Sequence, residues 1–391
     1  MYGVGHAGRS PTSAMTTPID IEKLPGTARK ILGGSAPAAM RMMAAKGIVP
    51  GVRPGDLVTV IVLLREDDDE KVAAAARATL AGLPAPVLGG ALAADLEPLA
   101  IEALAEHYAT NHDAVEKLLR MPRIEGAALE HLADHADERA GELIATNERL
   151  MLENPRVIEK LYMNKRVRMS TADRLLELAV RNGIELDIPA YTEAAAAIKN
   201  ELIPEASEEP TFDDALFNET EKLAHESSLE GEDDDTHEVD DEGEEQLKQK
   251  FLPLHAQIAQ MTVTQKIRRA MLGTSAERLI LVRDSNRLVS SAAVKSPLMR
   301  ENEAMRISAS RSVSEDVLRS LALNREFTRN YQVKLNLVSN PRTPLTFASR
   351  LIPHLRESDL KSLSRSKNVA GAIAQAVKQQ LLRKQGKAGR R

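Results

Sequence analysis

The segment Leu337-Val-Ser-Asn-Pro-Arg342 has the form of a helix end, a polar stop and a proline restart, and related segments recur along the chain. Val338-Ser-Asn-Pro-Arg342 matches Leu152-Glu-Asn-Pro-Arg156, and Arg120-Met-Pro-Arg123 is a shorter version. In the C-terminal part, Leu281-Val-Arg-Asp284, Ile307-Ser-Ala-Ser310, Leu337-Val-Ser-Asn340 and Leu363-Ser-Arg-Ser366 follow one another at spacings of 26, 30 and 26 residues. Pro122 and Pro155 are 33 apart. A polar residue or proline at each step ends one helix and sets φ for the next. Periods of this size indicate helix pairs stacked into a solenoid, since one pair alone cannot bury its apolar face.

Working outward, apolar residues fall at helical intervals. Phe327, Tyr331, Leu335 and Val338 make one stripe, which predicts a single helix, and Val369, Ile373, Val377 and Leu381 make another. Thr262-x-x-Gln265 and Ser312-x-x-Glu315 have capping-box spacing. In the N-terminal part, Asp67-Asp-Asp-Glu-Lys-Val-Ala-Ala-Ala-Ala-Arg-Ala-Thr-Leu80 is an acidic helix start followed by strong helix formers, similar to helices of HEAT and armadillo-like repeats. Leu57–Leu64 is β-branched enough for a buried strand, but its helical neighbours favour a helix capped by Asp56. Composition agrees: hydrophobic residues are 43%, aromatics only 3% and tryptophan absent. A core of Leu, Ala, Val, Ile and Met favours helix over sheet.

Cysteine is absent, which excludes disulfides, thiolate metal sites and cysteine nucleophiles and is consistent with a reducing compartment. The longest apolar run is too short for a bilayer, which takes about 20 residues. No signal-peptide pattern is evident, so a cytoplasmic protein is expected. Residues before Met15 are Gly- and Ser-rich and read as a disordered tail, which makes Met15 an alternative start. The net charge of −5 conceals a sharp asymmetry. Residues 201–247 hold 20 acidic residues and one lysine, whereas residues 251–391 hold 26 basic against 9 acidic, a net +17. High charge with few apolar groups predicts disorder for the acidic stretch.

The expected architecture is therefore all-α: two α-solenoid-like helical repeat domains joined by a disordered acidic linker. The boundaries are a tail at 1–18, domains at 19–204 and 248–385, the linker at 205–247 and a basic tail at 386–391.

From Met261 onward, several segments resemble a family of uncharacterised bacterial helical-repeat proteins. They are Met261-Thr-Val-Thr-Gln-Lys-Ile267, Leu281-Val-Arg-Asp-Ser-Asn-Arg-Leu-Val289, Arg329-Asn-Tyr-Gln-Val-Lys-Leu335, Asn340-Pro-Arg-Thr-Pro344, Leu351-Ile-Pro-His-Leu-Arg356 and Ser366-Lys-Asn-Val369. The resemblance covers about the last third and implies a helical fold. It implies no activity, since none is established for that family.

Catalytic signatures are missing. Gly3-x-Gly5-x-x-Gly8 has dinucleotide-loop spacing, but no strand precedes it. His131 and His135 lie one helical turn apart, yet two histidines on one helix need further ligands, so ordinary exposed histidines are the better reading and no metal or other cofactor is expected. The basic third is the stronger candidate. Arg268, Arg269, Arg319, Arg325, Arg329, Lys334, Arg342, Arg350, Arg356, Lys361, Arg365, Lys367, Lys378, Arg383 and Lys384 are candidate polyanion contacts, with Lys387, Arg390 and Arg391 beyond them. Arg325 and Arg329, at i and i+4, share a face. Aromatics are too few for base stacking, leaving backbone contacts. The acidic linker is a competing ligand, expected to fold back over the basic face. Within it, Thr211 and Asp214 resemble a capping box opening a short helix, whose Phe212, Leu216 and Leu223 form a candidate docking face for a protein partner. The expectation is a noncatalytic scaffold or adaptor binding a protein partner. The rival is a nucleic-acid-associated protein without sequence readout; membrane insertion is not expected.

Overall fold

Several helix starts in the computed structural model are capped by short polar side chains. Asp69, Asn111, Asp137, Asn147, Asn286 and Asn330 each accept a bond from a first-turn amide. Thr262–Gln265 and Thr274–Glu277 form complete capping boxes. The structure describes residues 19, 21–33, 36–199, 201, 203, 206–207, 209–229, 236–239, 245–366 and 369–388. These contain 24 α-helices, several short 3-10 turns and one two-stranded hairpin, an all-α chain. Among the described residues no single helix is long and apolar enough to cross a membrane.

Contacts divide the chain into residues 1–179 and 180–391. The first unit holds α1 (Gly26–Leu32), α2 (Ala38–Ala45), α3 (Pro54–Leu63), α4 (Glu70–Ala81), α5 (Ala85–Leu92), α6 (Pro98–Tyr108), α7 (His112–Leu119), α8 (Gly126–His135), α9 (Glu138–Ala145), α10 (Glu148–Glu153) and α11 (Pro155–Met163); α12 (Met169–Arg181) spans the division. Packing skips one helix at a time as far as α8, which then packs on α11. Helices α2, α4, α6, α8 and α11 form one contact series, and α3, α5, α7 and α9 another. The Leu57–Leu64 run is helical, as expected, because α3 is buried on nearly every side: Val58, Val60 and Ile61 are fully enclosed. Its cap is not Asp56. Pro54 occupies the first turn, Arg53 precedes it, and no side chain caps the start.

The second unit holds α13 (Tyr191–Ile198), α14 (Phe212–Leu229), strands β1 (His237–Val239) and β2 (Glu245–Leu247), then α15 (Leu252–Gln260), α16 (Val263–Leu272), α17 (Ser275–Leu281), α18 (Arg287–Val294), α19 (Glu301–Ala309), α20 (Glu315–Leu323), α21 (Tyr331–Ser339), α22 (Leu345–Leu351), α23 (Glu357–Arg365) and α24 (Gly371–Ala388). The same alternation recurs: α16, α18, α20, α22 and α24 pack in series, and so do α17, α19 and α21. The four segments spaced by 26, 30 and 26 residues lie at the ends of α17, α19, α21 and α23, whose first residues have the same spacing.

At two turns, side chains reach the end of a helix about 30 residues earlier. Asn340 Nδ2 donates to Ser308 O (3.0 Å) and Ser310 O (2.7 Å), its Oδ1 accepts from Arg342 N (3.0 Å), and Arg342 Nη1 donates to Val313 O (3.1 Å). The first unit repeats the device. Asn164 Nδ2 donates to Ala133 O (3.0 Å) and Ala136 O (2.8 Å), its Oδ1 accepts from Arg166 N (3.0 Å), and Arg166 Nη2 donates to His135 O (2.7 Å). Both asparagines are helix C-caps with nearly the same backbone, φ/ψ −81/116 and −74/119. The equivalent of Asn340-Pro-Arg342 is therefore Asn164-Lys-Arg166. Asn154, the better match by sequence, uses its Nδ2 only within its own turn, on Leu150 O.

Three expectations need correction. The Phe327–Val338 stripe is not one helix: a 3-10 turn (Phe327–Arg329) precedes α21, and Asn330 caps the restart. Arg325 and Arg329 thus do not share a helical face. Ser312 does not cap α20, whose N-cap Ser314 makes no side-chain bond. Finally, the acidic stretch is not uniformly a disordered linker. Residues 212–229 are helix, opened as expected by Thr211 and Asp214, which exchange bonds of 2.8 and 3.2 Å. The helix folds because Asp214, Phe217, Thr220 and Ala224 form a buried face against α15 and α17, with Glu221 half-buried towards Arg269 and Glu219 and Glu226 left in solvent. The runs at 230–235 and 240–244, the tail at 1–18 with its glycines, and Lys367 lie outside the described residues, as do the side chains of Lys387, Arg390 and Arg391.

Candidate functional site

The most completely built polar site of the second unit lies where the ends of α17 and α19 meet the hairpin. Past Leu281 the chain turns, and Arg283 is held by two of its own bonds: Nη1 donates to Leu279 O (2.6 Å) and Nε to Ser312 Oγ (3.0 Å). Past Ala309 the backbone is extended at Ser310, which presents the Ser310 and Ser312 hydroxyls and the Arg311 amide on one side. Into this cradle projects Glu245 from β2. Its Oε1 accepts from Arg311 N (2.7 Å), and its Oε2 accepts from Ser310 Oγ (2.6 Å), Ser312 Oγ (2.8 Å) and Arg283 Nη2 (3.2 Å).

Burial alone would raise the Glu245 carboxyl. The two serine hydroxyls, the Arg311 amide and the Arg283 charge overcome it and hold the group down at about 2. Neighbouring His237 moves down to about 4, because burial and Arg283 disfavour its cation more than Glu245 favours it. Both are therefore set at neutral pH, one as carboxylate and the other as neutral imidazole. A cavity of about 220 Å³ adjoins them, bounded by His237, Glu238, Arg283, Arg306 and Ser310 among others. This arrangement recognises a carboxylate through one guanidinium, two hydroxyls and one backbone amide.

The basic residues named from sequence do not converge. Arg268 and Arg269 are wholly buried, contrary to a polyanion-binding role. Arg269 is ion-paired with Glu277 at 3.3 Å and Glu221 at 3.6 Å, and its guanidinium stacks 4.0 Å from the Phe217 ring centroid. The Arg269–Glu277 contact is a charge contact without hydrogen-bond alignment. Burial pushes the Glu277 carboxyl up, against the pull of Arg269. Beside them Arg278 grips Glu303 through two bonds of 2.8 and 2.7 Å, both side chains nearly inaccessible. These arginines join α14, α16, α17 and α19 internally.

Other members are engaged at the surface. Arg319 pairs with Asp316, Lys361 with Glu357, Arg356 lies over the Tyr331 ring, and Arg350 lies near Phe347. Arg342 and Lys384 donate to turn carbonyls, Lys384 Nζ to Leu355 O at 2.7 Å. Arg325, Arg329, Arg365, Lys378 and Arg383 are exposed and Lys334 half-buried, none with an ion-pair partner among the described residues. In the expected docking helix, Phe212 is 76% exposed, Leu216 is buried and Leu223 half-buried, so the three do not form one open face; Phe217, not among them, is the buried anchor. His135 Nδ1 contacts His131 O at 3.1 Å, and among the described residues no group of three His, Cys, Asp or Glu is placed to hold a metal ion.

Sequence reasoning missed Glu245, Arg283, Ser310, Arg311 and Ser312 as a site. The available signal was positional, since Arg283 and Ser310 fall in successive punctuation segments already noted and Ser312 lies two residues beyond. No family model, no curated protein and no solved structure matches this chain.

Proposed function

We propose that the chain is a noncatalytic α-solenoid scaffold whose helical layers present turns and exposed faces to a protein partner. The observation that carries this reading is the Asn-x-Arg staple, repeated at Asn164 and Asn340. Each bridges one turn to its counterpart 28–32 residues earlier with matching atoms. Such nearest-neighbour bonding is what stacked helix pairs use, each pair leaning on the one before it. The test uses the intact chain as bait, followed by hydrogen-exchange mapping of any stable complex. Protection across two or more consecutive helix pairs supports a scaffold. Protection confined to one closed pocket, or turnover of a small molecule there, contradicts it.

A second reading rests on the exposed, unpaired Arg325, Arg329, Arg365, Lys378 and Arg383. If these contact nucleic-acid backbone, duplex binding by the intact chain would fall with log salt at a slope of about −4 to −5, one counterion per contact. Absence of binding at low salt removes that reading.

A further inference from the structure

We propose that the Arg283–Ser310–Arg311–Ser312 cradle is a receptor for an acidic, extended peptide segment, and that Glu245 is its displaceable occupant supplied by the chain itself. This deepens the scaffold reading, on which it rests for taking a protein as partner.

The cradle does not need Glu245 to hold its shape. Arg283 is fixed by Leu279 O and Ser312 Oγ, and the two serine oxygens lie 3.0 Å apart, so one hydroxyl can turn to the other when no carboxylate takes both protons. The Arg311 amide belongs to the turn that follows α19. A pre-set group of one cation and three donors, all directed at one carboxylate, is a recognition site in chemical terms.

The occupant is weakly built by comparison. Strands β1 and β2 have three residues each, pair only with each other, and leave Glu238 and Val239 exposed. An isolated two-stranded hairpin is marginal in water, so docking holds this one in place. The Glu245 carboxylate joins it to the cradle, and the Lys248 N to Thr236 O bond of 2.9 Å closes its own base, where Thr236 is buried. The strand delivering Glu245 is extended, and the contacts it makes with the cradle use a side chain that any acidic peptide carries. A partner segment with glutamate in an extended stretch satisfies the same four donors. The tethered occupant competes at the high effective concentration of a short linkage, which masks the site until a partner offers more contact.

The test uses the intact protein, wild type and Glu245→Ala, with a fluorescent peptide of residues 236–248 and the same peptide carrying Glu245→Gln. The Glu245→Ala protein is expected to bind the acidic peptide roughly tenfold or more tightly than wild type does, the worth of a charge-assisted set of bonds. The Gln peptide should lose that gain, and adding Ser312→Ala should weaken binding several-fold while leaving the circular dichroism unchanged. In the wild type, saturating peptide should speed amide exchange at 245–247, reporting displacement. Equal affinity of the two proteins, or indifference to the Glu-to-Gln change in the peptide, overturns the proposal. A partner footprint elsewhere on the ladder would leave the scaffold reading standing in that case.

Discussion

Replacing Asn340 by alanine removes three bonds at once: two from Nδ2 to the carbonyls ending α19, and one from the Arg342 amide to Oδ1. The residue is 6% exposed, and Ser308 and Ser310 are buried, so solvent replaces these partners poorly. At about 1 kcal/mol each, the loss is about 3 kcal/mol. Local opening of the α19–α21 pair should then rise roughly a hundredfold, since about 1.4 kcal/mol is tenfold. Hydrogen exchange followed by mass spectrometry on the intact protein reads this directly, and avoids assuming one unfolding transition for two units. Amides in the last turn of α19 should exchange faster along with those of α21. Asn164→Ala should do the same to α8 and α11. Asn154→Ala serves as the control, because its single Nδ2 bond to Leu150 O is worth about 1 kcal/mol and is local to α10. If Asn340→Ala does no more than Asn154→Ala, or if its effect stays within α21, the staple reasoning is wrong.

Breaking the buried Arg278–Glu303 pair with Glu303→Gln should cost about 3–5 kcal/mol, because Arg278 is left charged in the interior; chemical denaturation checks this, and replacing both by leucine and methionine should cost less. Phe217→Ala should destabilise by about 3–5 kcal/mol, whereas Phe212→Ala, at an exposed position, should change stability by no more than about 0.5 kcal/mol; thermal melts of the two variants decide it. Docking of the hairpin should depend on acid pH. The Glu245 pKa is lowered on folding, so its contribution is full above its ordinary value near 4.5 and disappears as pH falls towards about 2. Exchange at 245–247 should rise through that window in wild type, and Glu245→Gln should flatten the dependence.

How much of this was legible in the sequence varied with the range of the interaction involved. Thr262, Asp69 and the Thr211–Asp214 pair announce helix starts because their partners lie within three residues. The spacing of 26, 30 and 26 residues was readable because each step needs a polar stop. A following proline makes Asn154 the visible local match, while the bonds of Asn164 run to residues about one period back. The break at Asn330 was hidden for a related reason: apolar spacing continues through it from Phe327, and only the asparagine cap marks the restart. Arg268 and Arg269 read as surface because charge ordinarily is. Their burial depends on Phe217, Glu221 and Glu277 meeting across three helices, which no local pattern encodes. The acid count of 201–247 likewise concealed the buried face that docks α14.

The central claim, a ladder of interchangeable helix pairs, is tested most directly by excising residues 331–356. The deletion removes α21 and α22 and joins Asn330, the cap of α21, to Glu357, the first residue of α23. It keeps the cradle residues Arg283, Ser310, Arg311 and Ser312 in the chain but removes the Asn340 and Arg342 bonds to their turn. The shortened chain should keep its helical circular dichroism per residue and a cooperative melt, while excising 331–344, which removes one helix and swaps the layers, should abolish cooperativity in this region. If both deletions unfold the second unit alike, its helices form a single irreplaceable core and the repeat account fails.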